Sequence, residues 1–493
     1  MLFFAAAILI SSVHVLGVAG PTAVPVSDAT AQQVSAPSHH VSATATPVSL
    51  VDSRIAPGRE IRAAVSLAPA VAAGDLTACR GEVTDAAACL DGLGTAPVAT
   101  LERFGRSLDS DTGEDVAFAT AIGRQGSATA TRSWWQSLGL ERRTALATAL
   151  PSIIGNLEGI PYKIRDAANR LTLESTLQRL SARAAQSHGA VGRSAEAPRV
   201  AMLDQVQAAL AAGADRSLLS LDTVFPGRAA VAVGDVDRAA NVSVIVPGML
   251  YTVTTQMVSL TGAAADLQSS QTFWSNTLST SVSHHVATSA VVAWMGYKTP
   301  GLTNVLGIGL ATTGARQLED AIQGLDADRR TDMPRVTLIA HSYGSTTSTI
   351  ALSSGRIRVD DFVAMGSPGS VVATASKLDV TAGHVFVAAA ALDPVAGSAV
   401  FGADPGSMAF GAKELNLGAM VDPYTEQRVS AVVSHNEYFT AGSHSMRSLA
   451  LIGIGRGDLA DGRRPDPGAP ELTNSPSLGL VRPQDINRES VGA

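Results

Sequence analysis

The residues around Ser342 fit the pattern of a nucleophilic serine. It is the third residue of the pentapeptide AHSYG at residues 340–344, which follows an apolar run. In a strand–turn–helix elbow of the form G-x-S-x-G, the residues two before and two after the serine must be small because the chain turns sharply there. Ala and Gly occupy those two places. The spacing therefore predicts that Ser342 attacks a carbonyl carbon and that the N–H of Tyr343 faces the resulting oxyanion.

Two alternatives compete with this interpretation. The first is that Ser342 is a buried structural serine that caps the following helix. The second is Ser353, which also fits the pattern in the segment ALSSG but stands before Gly355, where a helix is expected to end. An apolar strand precedes Ser342 and none precedes Ser353, so the sequence favours Ser342.

The histidines that follow Ser342 supply the candidate general base. They are His384, His435 and His444. His384 begins an apolar run and belongs at the wrong edge of a parallel sheet, whereas His435 comes just after residues 429–433, at the edge where strands end. His435 is therefore the predicted base and His444 the alternative. The non-catalytic alternative is that His435 is an ordinary histidine of a surface loop.

Asp393 is the predicted acid. It ends the apolar run and turn at residues 384–392 and precedes Pro394, which restricts the turn. A carboxylate there can accept a hydrogen bond from Nδ1 of the histidine, which selects the tautomer and stabilises the imidazolium. Asp404, in FGADP, is the competing carboxylate. The alternative role of either residue is to cap a loop before a proline.

The loop after residues 242–246 is expected to hold a second oxyanion donor. Its sequence PGM lets the backbone approach closely at the glycine, so the N–H of Gly248 or Met249 is the candidate. One such donor contributes about 3 kcal/mol in a transition state. The alternative is that Gly248 serves only to turn the chain. Residues 297–300, at the same edge, are expected to form a pocket wall.

Apolar runs separated by helix-length segments predict the fold that positions these residues. The runs lie at residues 242–246, 290–294, 335–340, 361–365, 384–389 and 429–433, with a hairpin at 218–224 and 228–233 and helices at 200–210 and 303–325. Such an order is typical of α/β proteins with a mostly parallel sheet covered by helices on both faces. The right-handed crossover rule places the carboxyl ends of the strands at one edge, where such sheets bind ligands.

The N-terminal half is expected to be helical and to carry no chemistry. Candidate helices lie at residues 59–73, 97–108 and 134–149, a loop at 153–161, and a polar helix begins at Tyr162. Arg165, Asp166, Asn169 and Arg170 on the polar helix are interpreted as a solvated face with local ion pairs. The alternative is that the loop faces the substrate. The helical region is compatible with two roles, a lid over the candidate site or a buttress that supports the catalytic domain.

The two ends of the chain are expected to lie outside the folded domains. Residues 1–20 contain an apolar stretch too short to cross a bilayer comfortably, which predicts a signal peptide or an N-terminal anchor. Residues 21–57 predict a flexible linker and residues 461–493 a disordered tail. Between them we predict an N-terminal helical region at 58–198 and a catalytic domain at 199–460. The signal peptide or anchor predicts a secreted or cell-envelope location. As an anchor, the N-terminus would associate the protein with a membrane or the envelope.

Composition limits the classes of partner. The chain has 36 Lys and Arg against 43 Asp and Glu, a formal net charge of −7, and only 16% charged residues. This excludes a disordered polyampholyte, and without a run of cations it argues against nucleic acid. No HExxH motif occurs and the histidine pairs at 39–40 and 284–285 are isolated, so neither a metal nor another cofactor is expected. Cys79 and Cys89 form either one small-loop disulfide or two buried thiols.

In sequence, these motifs resemble a bacterial α/β-hydrolase family of unknown function. The resembling stretches are WWQSL, GNLEGIP, RDAANR, GDVDRAANVSVIVPGM, VVAWMGYKTP, VTLIAHSYGS, DDFVAMGSPG, ALDPV, FGADPGSMAFGA and SHNEYF, within residues 134–457. The resemblance implies an α/β-hydrolase fold and a serine hydrolase with Ser342, Asp393 and His435 at the expected places. Ala340 departs from the commoner glycine, and the resemblance implies no substrate.

The expected function is hydrolysis of a carboxylic ester through an acyl-enzyme on Ser342, by a carboxylesterase- or lipase-like enzyme. The substrate is then a small-molecule or lipid-like ester. Two alternatives are an acyltransferase to a sugar or lipid hydroxyl and a non-catalytic exported binding protein with the same fold. An imidazole of ordinary pKa, about 6.5, predicts activity that rises through roughly pH 6–7.

Overall fold

The structure, a computed structural model, describes residues 75–462 except residues 81, 109, 187–189 and 280–286. These residues belong to one unit of the chain, and Leu16–Val71 lies outside them. The predictions for residues 1–20, 21–57 and 59–73, for the histidine pairs at 39–40 and 284–285, and for the tail beyond residue 462 also lie outside the described residues.

Eight strands form the main sheet. In chain order they are β1 Arg216–Asp222, β2 Arg228–Val233, β3 Asn241–Val246, β4 Ser289–Met295, β5 Arg335–His341, β6 Asp361–Met365, β7 Val385–Ala388 and β8 Lys413–Glu414. Their order in the sheet is β1-β2-β4-β3-β5-β6-β7-β8. Pairing is parallel from β4 to β8, and β2 runs antiparallel to β1 and β4. The mostly parallel sheet that the sequence predicts is confirmed.

Helices precede the sheet and connect its strands. The α-helices of the described residues are α1 Ala86–Thr95, α2 Val98–Ser107, α3 Glu114–Gly126, α4 Ala128–Ser137, α5 Leu140–Ala149, α6 Pro151–Ile154, α7 Tyr162–Gln186, α8 Ala190–Ala211, α9 Val253–Leu278, α10 Gly309–Asp328, α11 Tyr343–Leu352 and α12 His444–Gly453. The first seven form the N-terminal helical region and have their own apolar core, which includes Leu101, Trp135 and Leu146.

Both faces of the sheet are buried, which is why its strands read as continuous apolar runs. Successive side chains of a strand point to opposite faces. In β3, Val244 belongs to the apolar core that α10 and α11 cover, and Ile245 belongs to the core that α8, α9 and α12 cover. Helices on both faces leave the strand ends as the exposed part of the sheet, and the loops that follow β3 to β7 meet at one of its edges.

Three predicted elements are wrong in detail. The helix expected at 303–325 begins only at Gly309, as α10. The helix expected at 134–149 is divided into α4 and α5, because Leu138 is extended and Gly139 is the N-cap of the second helix. The strand expected at 429–433 is only β10, Arg428–Val429, which pairs with β9, Met420–Val421, outside the main sheet. Beyond it, the N–H of Val432 donates to Leu417 O and the carbonyl of Val433 accepts from Leu392, so both groups are bound to loops.

The polar residues near the start of α7 dock the helical region on the edge strand β1. The side-chain amide of Asn156 donates to Leu221 O and accepts from Leu221 N, both at 2.9 Å. Asn169 Nδ2 donates to Leu218 O at 3.0 Å, and Asp166 Oδ1 accepts from Leu218 N. Backbone groups of an edge strand need such partners.

This docking corrects the expectation of a solvated helix face. Arg165 is only 2% exposed and is paired with Glu158, and Asn169 is fully buried. Arg170 alone matches the expectation, since it is exposed and paired with Asp166. The loop at 153–161 lies against β1, which three strands separate from β5, so the region that contains it is a buttress of the sheet edge.

Cys79 and Cys89 form a disulfide, the first of the two alternatives. Both residues are buried, and the bridge joins the start of the helical region to α1. Among the described residues, no helix is both long and apolar enough to cross a bilayer.

Candidate active site

Ser342 lies in a strained turn between β5 and α11. Its backbone has φ 55° and ψ −130°, a conformation that residues other than glycine rarely adopt and that is often found at functional sites. Its N–H donates to Met365 O at 2.8 Å, at the end of β6. The small residue at 344 is required, because a Cβ on Gly344 would lie 2.5 Å from the carbonyl oxygens of Val246 and Pro247. Ser353, by contrast, is the ordinary C-cap of α11.

The loop after β3 passes directly over Ser342. A Cβ on Gly248 would lie 2.5 Å from Ser342 Cβ and 3.1 Å from its Oγ, so only glycine allows this approach. Within the described part of the chain, the N–H groups of Gly248, Met249 and Tyr343 donate no hydrogen bond. The backbone thus presents donors beside the hydroxyl, in the arrangement that an oxyanion requires.

Residues 297–300, the expected pocket wall, hold that loop. The hydroxyl of Tyr297, itself only 3% exposed, donates to Pro247 O at 2.6 Å. Leu250 N donates to Pro300 O at 3.0 Å. A fixed loop matters because donors that are already oriented need no reorganisation during the reaction.

His435 and Asp393 form a buried pair on the other side of the elbow. Nδ1 of His435 lies 2.9 Å from both carboxylate oxygens of Asp393. Oδ1 also accepts from the N–H groups of Val395 and Ala396, and Oδ2 accepts from the Tyr438 hydroxyl at 2.7 Å. Burial raises the pKa of Asp393, but attraction to His435 and these hydrogen bonds outweigh it, so the pKa lies below its usual value. Asp393 is therefore a carboxylate that orients the imidazole.

Gly366 connects this pair to the elbow and was not identified from the sequence. It follows β6 directly, next to the Met365 carbonyl that binds Ser342 N. Its φ is 55°, and a Cβ there would lie 2.6 Å from Asp393 Oδ2 and 2.8 Å from His435 Nδ1. The signal that could have found it is the glycine of MGSPG immediately after a strand. Gly248 and Gly366 thus bring Ser342, His435 and Asp393 to one edge of the sheet.

The alternative residues lie elsewhere. His384 is at the amino end of β7, where its Nδ1 contacts Asp361 at 2.7 Å. His444 begins α12 and is fully buried, with Nδ1 2.8 Å from Gly418 O. Asp404 closes a turn by accepting from Gly406 N at 2.9 Å. None of these contacts involves Ser342 or His435.

His341 packs against the candidate base. Its ring centroid lies 4.5 Å from that of His435, and its Nε2 lies 2.8 Å from His435 O. Because a carbonyl only accepts, Nε2 carries a proton and anchors the backbone of His435. Burial, followed by repulsion from His435, lowers the pKa of His341 to about 3, so the ring is neutral at ordinary pH.

His341 should make the protein less stable in mild acid. In the unfolded chain a histidine takes up its proton below about pH 6.5, whereas folded His341 stays neutral to about pH 3. Between these values the unfolded state binds one more proton, so the free energy of unfolding falls by about 1.4 kcal/mol for each pH unit lost. Urea titrations at pH 6.5 and 4.5 should therefore show a loss about 2–3 kcal/mol smaller in His341→Gln than in the wild type. Equal losses in the two proteins would contradict this assignment.

No group of three or more His, Cys, Asp or Glu side chains that could hold a metal ion occurs in the part of the chain that the structure describes. The chemistry that the site offers is that of a serine hydroxyl, an imidazole with its carboxylate, and backbone donors.

Comparison with known proteins identifies the region that contains Ser342 and Asp393. A family model described as alpha/beta hydrolase matches residues 222–403. An uncharacterized protein of Mycobacterium bovis is 35% identical over 209 residues, which cover 40% of this chain and 74% of that protein. An uncharacterized protein of Mycobacterium tuberculosis is 29% identical over 369 residues, covering 66% of this chain and 55% of that protein. The chain thus spans about half the length of this second relative.

Solved structures show a weaker likeness. A hyperthermophilic esterase from Pyrobaculum calidifontis is 13% identical with a TM-score of 0.27, covering 58% of this chain and 97% of that one. An acylaminoacyl peptidase from Pyrococcus horikoshii is 11% identical with a TM-score of 0.24, covering 49% of this chain and 40% of that one. Similarities of this size support no argument about the activity of the chain.

Proposed function

Because the chain belongs to the α/β-hydrolase family, we propose that it is a serine hydrolase that cleaves a carboxylic ester through an acyl-enzyme. The observation that carries this proposal is that Ser342, beneath Gly248, binds the Met365 carbonyl beside Gly366, where a Cβ would collide with His435 and Asp393. A strained serine beside free backbone donors is the arrangement that acyl transfer uses.

The reaction follows from the hydrogen bonds of each group. Nδ1 of His435 donates to Asp393, which leaves Nε2 as the acceptor for the Ser342 proton. As Oγ attacks the ester carbonyl, the oxyanion accepts from the N–H of Tyr343 and from that of Gly248 or Met249. The imidazolium then protonates the leaving alcohol. Water repeats the sequence on the acyl-enzyme, with His435 as general base, and releases the acid.

The disulfide supports a second part of the proposal, that the enzyme works outside the reducing cytosol. Disulfides persist in oxidising compartments and are rare where thiols are kept reduced. The bridge between Cys79 and Cys89 fits a secreted or cell-envelope enzyme. A small-molecule or lipid-like ester is then the substrate class, and neither a cofactor nor nucleic acid is required.

A fluorophosphonate probe tests the proposed function. The probe reacts with activated serines, so the wild type should be labelled and Ser342→Ala should not be. Ser353→Ala is the matched control, because it removes a serine with the same sequence pattern at the far end of α11, and its labelling should equal that of the wild type. If circular dichroism shows that the wild type is folded and the probe still does not label it, the non-catalytic binding protein is favoured. Product analysis with added alcohol would reveal an acyltransferase.

A further inference from the structure

Exposed apolar side chains are concentrated in the loops that surround the candidate site. The loops after β4, β6 and β7, residues 296–308, 366–384 and 389–412, leave the sheet at the edge where Ser342 lies. We call the exposed apolar residues of the parts nearest that edge the apolar rim: Leu302, Leu306, Ile308, Val371, Leu392 and Val400. Leu392 is 65% exposed, although side chains of this kind are usually buried.

The same loops have almost no charge. Their charged residues are Lys298, Lys377, Asp379, Asp393 and Asp404. Asp393 and Asp404 are buried and Asp379 is half-buried, which leaves Lys298 and Lys377 as the exposed charges of these three loops. A surface that binds anionic lipids or nucleic acid needs a cluster of cations, which these loops do not contain. The rim is therefore suited to an uncharged apolar partner.

Contacts place the rim around Tyr343, the residue after the nucleophile. The Tyr343 hydroxyl donates to Gly307 O, and Leu306 and Ile308 are the neighbours of Gly307 in the chain. The ring of Phe401, which follows Val400, lies 5.4 Å from the Tyr343 ring.

The loop after β6 is joined to the loop after β7, and the rim continues to the catalytic pair. Ser370 and Ala403 exchange two backbone hydrogen bonds, of 2.7 and 2.9 Å, next to exposed Val371. Leu392 is adjacent to the candidate acid Asp393. Apolar residues thus flank both sides of the reacting hydroxyl.

We propose that the apolar rim binds the acyl chains of long-chain esters held in an uncharged lipid surface, so that the substrate is taken from that surface. This inference rests on the proposed function. Exposed apolar patches of this kind mark interaction sites, and burying them against lipid removes apolar area from water. Because Lys298 and Lys377 are the exposed charges of the three loops, docking requires little desolvation of ions.

The test compares a lipid-borne substrate with a soluble one. For the wild type we measure flotation with phosphatidylcholine vesicles and kcat/KM for p-nitrophenyl palmitate in those vesicles and p-nitrophenyl butyrate in solution. In Val400→Asp and Ile308→Asp, flotation should decrease and the palmitate-to-butyrate ratio of kcat/KM should fall by about tenfold or more, since an aspartate cannot enter the lipid. Met333→Asp is the matched control. Met333 is 47% exposed just before β5, at the opposite edge, and its variant should behave as the wild type does.

Each remaining outcome overturns the inference or the function beneath it. A wild type that is labelled by fluorophosphonate and cleaves butyrate, yet neither floats nor prefers palmitate, overturns the rim proposal alone. So does a self-association that Ile308→Asp abolishes in the absence of vesicle binding, since the rim is then a protein interface. A wild type that resists labelling overturns the proposed function instead. Flotation that high salt abolishes would show that ionic attraction, and not the rim, provides the binding.

Discussion

Asp393→Asn is expected to lower kcat for ester hydrolysis by about 10⁴-fold without unfolding the protein. Oδ1 of residue 393 would still accept from the Val395 and Ala396 N–H groups, so the side chain stays in place. The amide nitrogen, however, replaces an acceptor 2.9 Å from His435 Nδ1 with a donor. The imidazole then carries its proton on Nε2, the tautomer that cannot take the proton of Ser342.

Asp404→Asn is the matched control for this prediction. Asp404 is the other buried Asp-Pro carboxylate of the loop after β7, and its Oδ1 closes a local turn. Steady-state kinetics with p-nitrophenyl butyrate should give Asp404→Asn a kcat within a few-fold of the wild type. If Asp393→Asn retained more than about a tenth of the activity, or if the two variants lost equal activity, Asp393 would not be the acid.

Gly366→Ala is expected to lower kcat by about 10³-fold. This lies between the roughly 10²-fold loss from displacing a catalytic group by about 1 Å and the roughly 10⁴-fold loss from removing the acid. The new Cβ would lie 2.6 Å from Asp393 Oδ2 and 2.8 Å from His435 Nδ1, so the pair must move. The backbone at φ 55° also becomes strained, which costs about 1–2 kcal/mol of unfolding free energy.

Gly355→Ala separates the two effects of that substitution. Gly355 has φ 74°, so its alanine variant has a similar backbone strain, but nothing lies within 4 Å of the new Cβ. Urea denaturation should show a similar loss of stability in both variants, and kinetics should show a loss of activity only in Gly366→Ala. Equal kcat values for the two variants would mean that Gly366 does not position the His435–Asp393 pair.

Local patterns were sufficient to predict strands β1 to β7 and the elbow. A continuous apolar run indicates a strand that is buried on both faces. The small residues at 340 and 344 are required by the sharp turn at Ser342, which is a steric effect within one pentapeptide. The parallel sheet then places β5 and β7 with their carboxyl ends at one edge. Residue types and spacing were therefore enough to name the candidates Ser342, Asp393 and His435, although their catalytic roles remain predictions.

Other features depend on segments that are distant in the chain. Asn156 and Asn169 read as loop and surface residues, but the structure uses their amides to satisfy the backbone of β1, more than 45 residues away. The residues before His435 read as a strand because Val429, Val432 and Val433 favour strands. Loop partners occupy the backbone of Val432 and Val433 instead. Propensity describes one residue and its neighbours, and it cannot include partners that the tertiary fold supplies.

By itself, the sequence determined the α/β fold class, the mostly parallel sheet and the strand–turn–helix at Ser342, because these depend on burial periodicity and on sterics between near neighbours. Only the tertiary structure decided that Asp393 rather than Asp404 lies against His435, that Gly366 and Gly248 leave room for the site, and that the helical region supports the edge at β1. The physical reason is that these contacts join backbone segments whose separation in space is set by the path of the whole chain.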